Sequence, residues 1–301
     1  MHPLDPDDGV ITAAVRAMTA AGKGATQGIE GRAQYDALLE SVAPRNDVTF
    51  EAGAVGGIAG MWVHPANVRS GVAILHLHGG WFNLGSANAY RHLVGHIAAR
   101  AGASAFIPYY RLAPEHPFPA ATEDALSSYR GMAGVGVRRI AITGDSAGGN
   151  LALVLASRVA GDAALAGIAL MSPVTDLTLS GASYDARAEA DPFFTRSQVA
   201  ALVRAYLGAA DAKQPLASPL YGELAGLPPI RIQVGDDEVL LDDSLRYVER
   251  AVAAGVDARA DVWMGMPHGF PSNIGRLKAA ALAMDDFGAF LAARLQAPAR
   301  R

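Results

Sequence analysis

The sequence contains no cysteine. This absence excludes disulfide bonds, thiolate nucleophiles and metal sites with cysteine ligands. The sequence also has no run of basic residues, and its formal net charge is −4. We therefore expect no nucleic-acid partner and no binding to an anionic membrane surface.

Long apolar runs are absent as well. No stretch approaches the roughly 18 apolar residues of a membrane-spanning helix. The first ten residues, MHPLDPDDGV, are acidic and rich in proline, whereas a secretory signal has a basic stretch followed by an apolar one. We expect a soluble cytoplasmic protein without a membrane span.

What the sequence has is a large supply of core residues and a regular alternation of elements. Hydrophobic residues make up 51% of the 301 positions and charged residues 18%, enough for a large core. Extended segments are predicted at 46–52 and 58–65. Beyond residue 71, short apolar runs alternate with helical segments, and these runs are 72–77, 104–109, 139–143, 167–172, 230–234 and 258–264. The pattern predicts an α/β fold with an eight-stranded, mostly parallel sheet flanked by helices.

Two regions do not follow this alternation. Residues 1–45 contain helical patterns at 9–21 and 32–42, joined by a glycine-rich link. The interval 176–227 holds about fifty residues between two strands, far more than an ordinary crossover needs. We interpret 1–45 as N-terminal cap helices and about 178–226 as a cap insertion within a catalytic domain, 46–301.

The segment Gly144-Asp145-Ser146-Ala147-Gly148 follows a predicted strand and precedes a predicted helix. G-x-S-x-G in this context is typical of a nucleophile elbow, a tight turn that presents a serine at a helix N-terminus. The alternative is an ordinary strand-to-helix turn with a capping serine. We identify Ser146 as the candidate nucleophile.

His78-Gly79-Gly80 follows another strand, as an oxyanion loop does. Acyl transfer places negative charge on a carbonyl oxygen, and backbone N–H groups aimed at that oxygen stabilise it. We predict Gly79, Gly80 and Ala147 as the donors. The alternative is a flexible glycine turn.

Among eight histidines, His268 has the position of a catalytic base, because it lies between the last apolar strand and the final helix. His92 and His96 are spaced like a zinc pair but lack the intervening glutamate of H-E-x-x-H, so we expect them to pack or face solvent. The other histidines are predicted to be structural or to lie in loops, and they are His2, His64, His76, His78 and His116.

The stretch VGDDEVLLDD, 234–243, offers five carboxylates as the acid that orients His268. Asp242 and Asp243 begin a predicted helix, which favours a capping role. Asp236, Asp237 and Glu238 lie in the loop after a strand, where a triad acid is expected. Their positions alone do not decide which of the three carboxylates is the triad acid.

Six segments together resemble the hormone-sensitive-lipase-like esterases, which are the bacterial family IV carboxylesterases of the α/β-hydrolase fold. In chain order they are HGGWFNLGS, YRLAPEHPFPAA, GDSAGGNLA, SPVTDLT, EVLLDD and PHGF. The resemblance implies hydrolysis of short-acyl esters through a Ser-His-acid triad, without a metal or cofactor. The resemblance also implies that the protein can form a homodimer. Aligning EVLLDD with the family pattern D-P-L-x-D-E assigns the acid to Glu238, with Asp236 and Asp237 as alternatives.

The sequence departs from this family at Trp81, where H-G-G-G is usual. The indole either lines the substrate pocket or turns away and packs under the cap. Two other functions are consistent with the same residues. One is a narrower hydrolase acting on a lactone, a carbamate or an acetylated small molecule, and the other is a non-catalytic ligand receptor. A receptor is disfavoured because His268 and an acidic residue both stand at the chain positions that a catalytic triad needs.

Overall fold

A computed structural model describes residues 1–25 and 28–297. Within these residues eight strands form one sheet, in the order β1-β2-β4-β3-β5-β6-β7-β8. The strands are β1 (Val48–Val55), β2 (Ile58–Pro65), β3 (Val72–Leu77), β4 (Ser104–Pro108), β5 (Arg139–Asp145), β6 (Leu165–Met171), β7 (Ile230–Gly235) and β8 (Ala258–Trp263). β2 pairs antiparallel with β1 and β4, and every neighbouring pair from β4 to β8 is parallel. The predicted eight-stranded, mostly parallel sheet is confirmed.

The helices include the helical segments expected between the strands and the two predicted at 9–21 and 32–42, whose ends differ by a few residues. They are α1 (Pro6–Thr19), α2 (Arg32–Glu40), α3 (Ala87–Ala101), α4 (Ala120–Gly131), α5 (Ser146–Arg158), α7 (Arg196–Leu207), α8 (Leu241–Ala253) and α9 (Lys278–Gln296). A short helix, α6 (Ser183–Ala186), was not predicted. The predicted link between α1 and α2 and the predicted domain end at residue 301 extend outside the described residues.

The sheet is buried on both faces, which explains why its central strands are nearly all apolar. Along β3, Ile74 belongs to the core formed with α3 and α9. Its neighbours Leu75 and Leu77 point to the opposite face and pack with residues of α4 and α5. Because six parallel strands, β3 to β8, end at the same edge, the loops that follow β3, β5, β6, β7 and β8 meet there.

The segment 178–226, here called the insertion, lies over that edge. Its helix α7 buries Val199 and Tyr206 in the main core, and the Tyr206 ring stacks on Phe82 at 3.7 Å between ring centroids. From the N-terminal region, Arg32 at the start of α2 donates hydrogen bonds to the carbonyl oxygens of Asn83 and Ala113. Both regions therefore contact the loop after β3, although the division into domains stays a prediction.

Candidate active site

Ser146 is the first residue of α5 and directly follows β5. Its φ of +52° lies in the left-handed region, which a non-glycine residue adopts only at a cost, typically at functional sites. A Cβ on Gly148 would lie 2.0 Å from the carbonyl oxygen of Leu77, so the helix can approach β3 only with glycine there. The sequence thus builds a strained turn that holds Ser146, 5% exposed, at a helix N-terminus.

His78 organises the loop after β3. The ring is stacked on Tyr110 with centroids 4.2 Å apart, and its Nδ1 lies 2.8 Å from the carbonyl oxygen of Gly79. Because a carbonyl only accepts, Nδ1 carries the proton in this contact. Burial lowers the pKa of His78 to about 4, so the imidazole is neutral at pH 7. Its function is structural, as it holds the loop backbone.

The N–H of Gly79 donates a 2.9 Å hydrogen bond to Oδ1 of Asp145. This contact corrects the sequence prediction for Gly79, because an N–H held by a carboxylate is not available to a substrate oxygen. Oδ2 of Asp145 accepts from the hydroxyl of Tyr90 at 3.0 Å, and Tyr35 of α2 lies 2.9 Å from that hydroxyl. A hydrogen-bonded chain therefore joins α2 to the residue that precedes Ser146.

Beyond Gly79, the loop turns sharply. Gly80 and Trp81 have φ values of +111° and +50°. Among the residues that the structure describes, no acceptor is assigned to the N–H of either residue. Ala147 lies in the first turn of α5, where N–H groups have no partner within the helix. These three N–H groups therefore have no hydrogen-bond acceptor among the described residues.

His268 lies in the loop after β8, and its Nδ1 is 2.8 Å from Oε2 of Glu238. Oε1 of Glu238, which is fully buried, accepts from the Ser172 hydroxyl at 2.8 Å and from the Gly235 N–H at 2.7 Å. Ser172, Gly235 and His268 therefore hold the carboxylate in one orientation by their hydrogen bonds. Of the three open candidates, Glu238 is the one that contacts His268.

The two alternatives are engaged elsewhere. Oδ1 of Asp236 accepts from the N–H of Gly265 at 2.5 Å. The carboxylate of Asp237 pairs with Arg16 of α1. Both residues shape the loop between β7 and α8 without contacting the imidazole.

Asp242 and Asp243 do not cap α8, contrary to the sequence prediction. The helix begins after Leu240, with no side-chain cap. Asp243 is buried and its Oδ1 accepts from the N–H groups of Thr175 and Asp176, while Asp242 accepts from the N–H of Ser183. These tertiary contacts replace the local caps and attach α8 to the chain that follows β6.

The pKa of His268 is set by opposing effects. Burial lowers it, but the hydrogen bond and the charge of Glu238, with the charges of Asp191 and Asp145, raise it above its ordinary value. An imidazole that gains a proton readily and holds its Nδ1–H toward a carboxylate is suited to act as a general base through Nε2.

Two aromatic rings, those of Phe194 and Trp81, lie in a row next to His268. The Phe194 ring, from the insertion, packs edge-on to His268 at 5.2 Å and to Trp81 at 5.5 Å between centroids. Trp81 is 5% exposed, and its Nε1–H is buried with no hydrogen-bond partner among the described residues. The indole therefore packs against the insertion, as one of the two alternatives for Trp81 expects, and whether it also lines the substrate pocket stays a prediction.

Sequence reasoning missed Ser172, Tyr90 and Asp191. Ser172 begins the segment SPVTDLT, so its place after β6 was a usable signal. Tyr90 and Asp191 carried none, because their contacts with Asp145 and Val239 join distant parts of the chain.

The paired histidines on α3 do not form a metal site. His96 Nε2 lies 2.8 Å from the carbonyl oxygen of Ala43, consistent with the expected packing role. Within 1–25 and 28–297, no group of three or more histidine and carboxylate side chains could hold a metal ion, and no helix is long and apolar enough to cross a membrane.

Comparison with known proteins places this geometry in a family. Residues 74–272 match the model of the alpha/beta hydrolase fold. The chain is 37% identical over 241 residues to a Streptomyces hygroscopicus protein named acetyl-hydrolase, covering 79% of this chain and 80% of that one. It is 39% identical over 202 residues to an Acinetobacter venetianus esterase, covering 65% and 67% of the two chains.

A solved structure shares nearly the whole fold. An esterase from the bacterial hormone-sensitive lipase family superposes with a TM-score of 0.89 at 35% identity, covering 97% of this chain and 99% of the other. The fold and family predicted from the sequence are confirmed. The chain belongs to the α/β-hydrolase family, within its branch of hormone-sensitive-lipase-like carboxylesterases.

Proposed function

We propose that this chain hydrolyses short-acyl carboxylic esters through an acyl-enzyme on Ser146, with His268 as base and Glu238 as the orienting acid. One observation carries the proposal: the 2.8 Å contact between His268 Nδ1 and Glu238 Oε2. The candidate nucleophile, Ser146, is held in a strained elbow. Asp145, which precedes Ser146, also interacts electrostatically with His268, so the two loops are neighbours.

In the first half-reaction, Ser146 Oγ attacks the ester carbonyl carbon while His268 Nε2 takes the hydroxyl proton. Glu238 keeps the proton on Nδ1 and stabilises the imidazolium. The C–O bond to the alcohol then breaks, and His268 returns the proton to the leaving alcohol. In the second half-reaction, water attacks the acyl-enzyme with the same base, which releases the carboxylic acid and restores Ser146.

The tetrahedral intermediates carry a negative oxygen that needs N–H donors. We assign this role to Gly80, Trp81 and Ala147, because the N–H of Gly79 is held by Asp145. Gly79 then acts indirectly, by anchoring the loop. Removal of one such donor typically costs about 3–4 kcal/mol of transition-state stabilisation.

Trp81 is proposed to restrict the substrate. Its buried indole packs against Phe194, which in turn packs against His268, and a glycine at position 81 would leave the place of the indole empty. We expect acetyl to butyryl esters to fit better than long-chain esters. The N-terminal helices (1–45) and the insertion (178–226) are proposed as the cap that bounds this space.

A narrower hydrolase acting on an acetylated small molecule is the second candidate. The same aromatic packing favours it, as does similarity to a protein named acetyl-hydrolase. Lactone and carbamate substrates would use the same residues. A non-catalytic receptor is disfavoured by the intact contact between His268 and Glu238. The cytoplasmic location and the homodimer stay predictions from the sequence.

The test is turnover of p-nitrophenyl esters of increasing acyl length, together with acetylated alcohols of differing size. The proposal expects the highest kcat/KM on short acyl groups and a loss of turnover in Ser146→Ala. Equal turnover by Ser146→Ala would refute it. A steep dependence on the alcohol rather than the acyl group would favour the narrower hydrolase.

A further inference from the structure

The insertion carries one carboxylate, Asp191, that is fully buried at the junction with the loop holding Glu238. Its Oδ1 accepts hydrogen bonds from the N–H groups of Phe193 and Phe194, at 2.8 and 2.9 Å. Its Oδ2 accepts from the N–H of Val239 at 2.8 Å. One side chain therefore ties two segments that are 48 residues apart.

Both segments reach the catalytic imidazole. Val239 directly follows Glu238, so fixing its amide fixes the backbone beside the acid. Phe194 packs its ring edge-on to His268 at 5.2 Å. Asp191 thus holds the partner of Nδ1 and also the ring that covers the imidazole.

A second contact crosses the same junction, one residue earlier in the insertion and two residues earlier in the loop of Glu238. The guanidinium of Arg16, on α1, donates to the carbonyl oxygen of Ala190 and pairs with the carboxylate of Asp237. Ala190 precedes Asp191, and Asp237 precedes Glu238. The N-terminal helix therefore reinforces the alignment that Asp191 produces.

In the part of the chain that the structure describes, no cation pairs with Asp191. Burying an unpaired carboxylate is costly even when N–H groups solvate it. Three carboxylates face His268: Glu238 from the loop after β7, Asp145 from the end of β5, and Asp191 from the insertion. A negative charge at Asp191 favours the imidazolium that forms when Ser146 attacks.

We propose that Asp191 is a positioning residue that couples the insertion to the catalytic pair, aligning the loop of Glu238 and the ring of Phe194 on His268. The charge of this residue also contributes to stabilising the imidazolium. The inference rests on the function proposed above and assigns a catalytic contribution to the insertion, beyond covering the site.

The test compares Asp191→Asn with the matched control Glu189→Gln, which removes an exposed carboxylate two residues away. Asp191→Asn is expected to lower kcat by roughly 10- to 100-fold with a smaller change in KM, as misplacement of catalytic groups does. The acid limb of its kcat/KM profile is expected to move to lower pH, because the imidazolium loses a neighbouring negative charge. Glu189→Gln is expected to match the wild type in both measurements.

A folded Asp191→Asn with the wild-type acid limb and a kcat within about twofold of wild type would overturn the inference. If Asp191→Asn does not fold, Asp191→Glu replaces it as the test, since it keeps the charge but lengthens the side chain. It is expected to keep the acid limb and lose kcat, and wild-type kcat would overturn the inference. Failure of the proposed function is distinct, because the wild type would then lack Ser146-dependent turnover.

Discussion

The carboxylate that anchors the oxyanion loop is expected to make the protein less stable. Burial raises the pKa of Asp145 to about 6 from an ordinary 3.8, against opposing hydrogen bonds from Tyr90 and Gly79 and the charge of His268. The difference of about two pH units corresponds to about 3 kcal/mol. The ionised carboxylate therefore lowers the free energy of unfolding at neutral pH by that order.

The sign follows from proton linkage. The native protein binds the proton of the Asp145 carboxyl more tightly than the unfolded chain does. The contribution of this proton to the free energy of unfolding is therefore complete below about pH 4 and is lost as the pH rises to about 6. Asparagine does not titrate, and its carbonyl oxygen can still accept from the N–H of Gly79. As the pH rises between these values, the free energy of unfolding of Asp145→Asn is thus expected to increase by up to about 3 kcal/mol relative to that of the wild type.

Urea denaturation of both proteins, followed by intrinsic fluorescence at several pH values between about 4 and 7, measures the effect. Asp185→Asn, which alters an exposed carboxylate of α6, is the control and is expected to show no such trend. The reasoning is refuted if the difference between Asp145→Asn and wild type is constant over this range, or if it changes in the opposite direction.

Three further variants test single contacts. Glu238→Gln is expected to lower kcat by about 10³- to 10⁴-fold, because the imidazole loses the acceptor that fixes its tautomer, whereas Asp236→Asn changes steady-state rates by less than about threefold. Trp81→Gly is expected to raise kcat/KM for hexanoate relative to acetate esters, and Trp81→Phe to leave that ratio near the wild-type value. Gly148→Ala is expected to lower the melting temperature sharply, since its Cβ would lie 2.0 Å from the carbonyl oxygen of Leu77. An unchanged melting temperature would show that the backbone yields there.

The sheet could be predicted because its strands are buried on both faces, and that pattern is local. Ser146 and His268 could be predicted because each follows a strand at the edge where parallel strands end. Glu238 needed the resemblance, since its loop offered three carboxylates with equivalent positions.

The remaining errors arise from tertiary contacts that leave no local pattern. Gly79 looked like a donor, but its N–H is held by Asp145, 66 residues away. Asp242 and Asp243 had the positions of helix caps, yet their carboxylates bind backbone N–H groups 59 to 68 residues away. Asp191 was missed because the part of the insertion before α7 shows no periodicity that would indicate which residue is buried.

Covalent labelling with a fluorophosphonate tests the central claim most directly. The probe phosphonylates a serine only when a neighbouring base activates it. We predict one label per chain, located on Ser146 by peptide mapping, and loss of esterase activity in proportion to labelling. Ser146→Ala is expected to take up no label. Full esterase activity in protein whose Ser146 is labelled, or a label on another residue that tracks the loss of activity, would contradict the account.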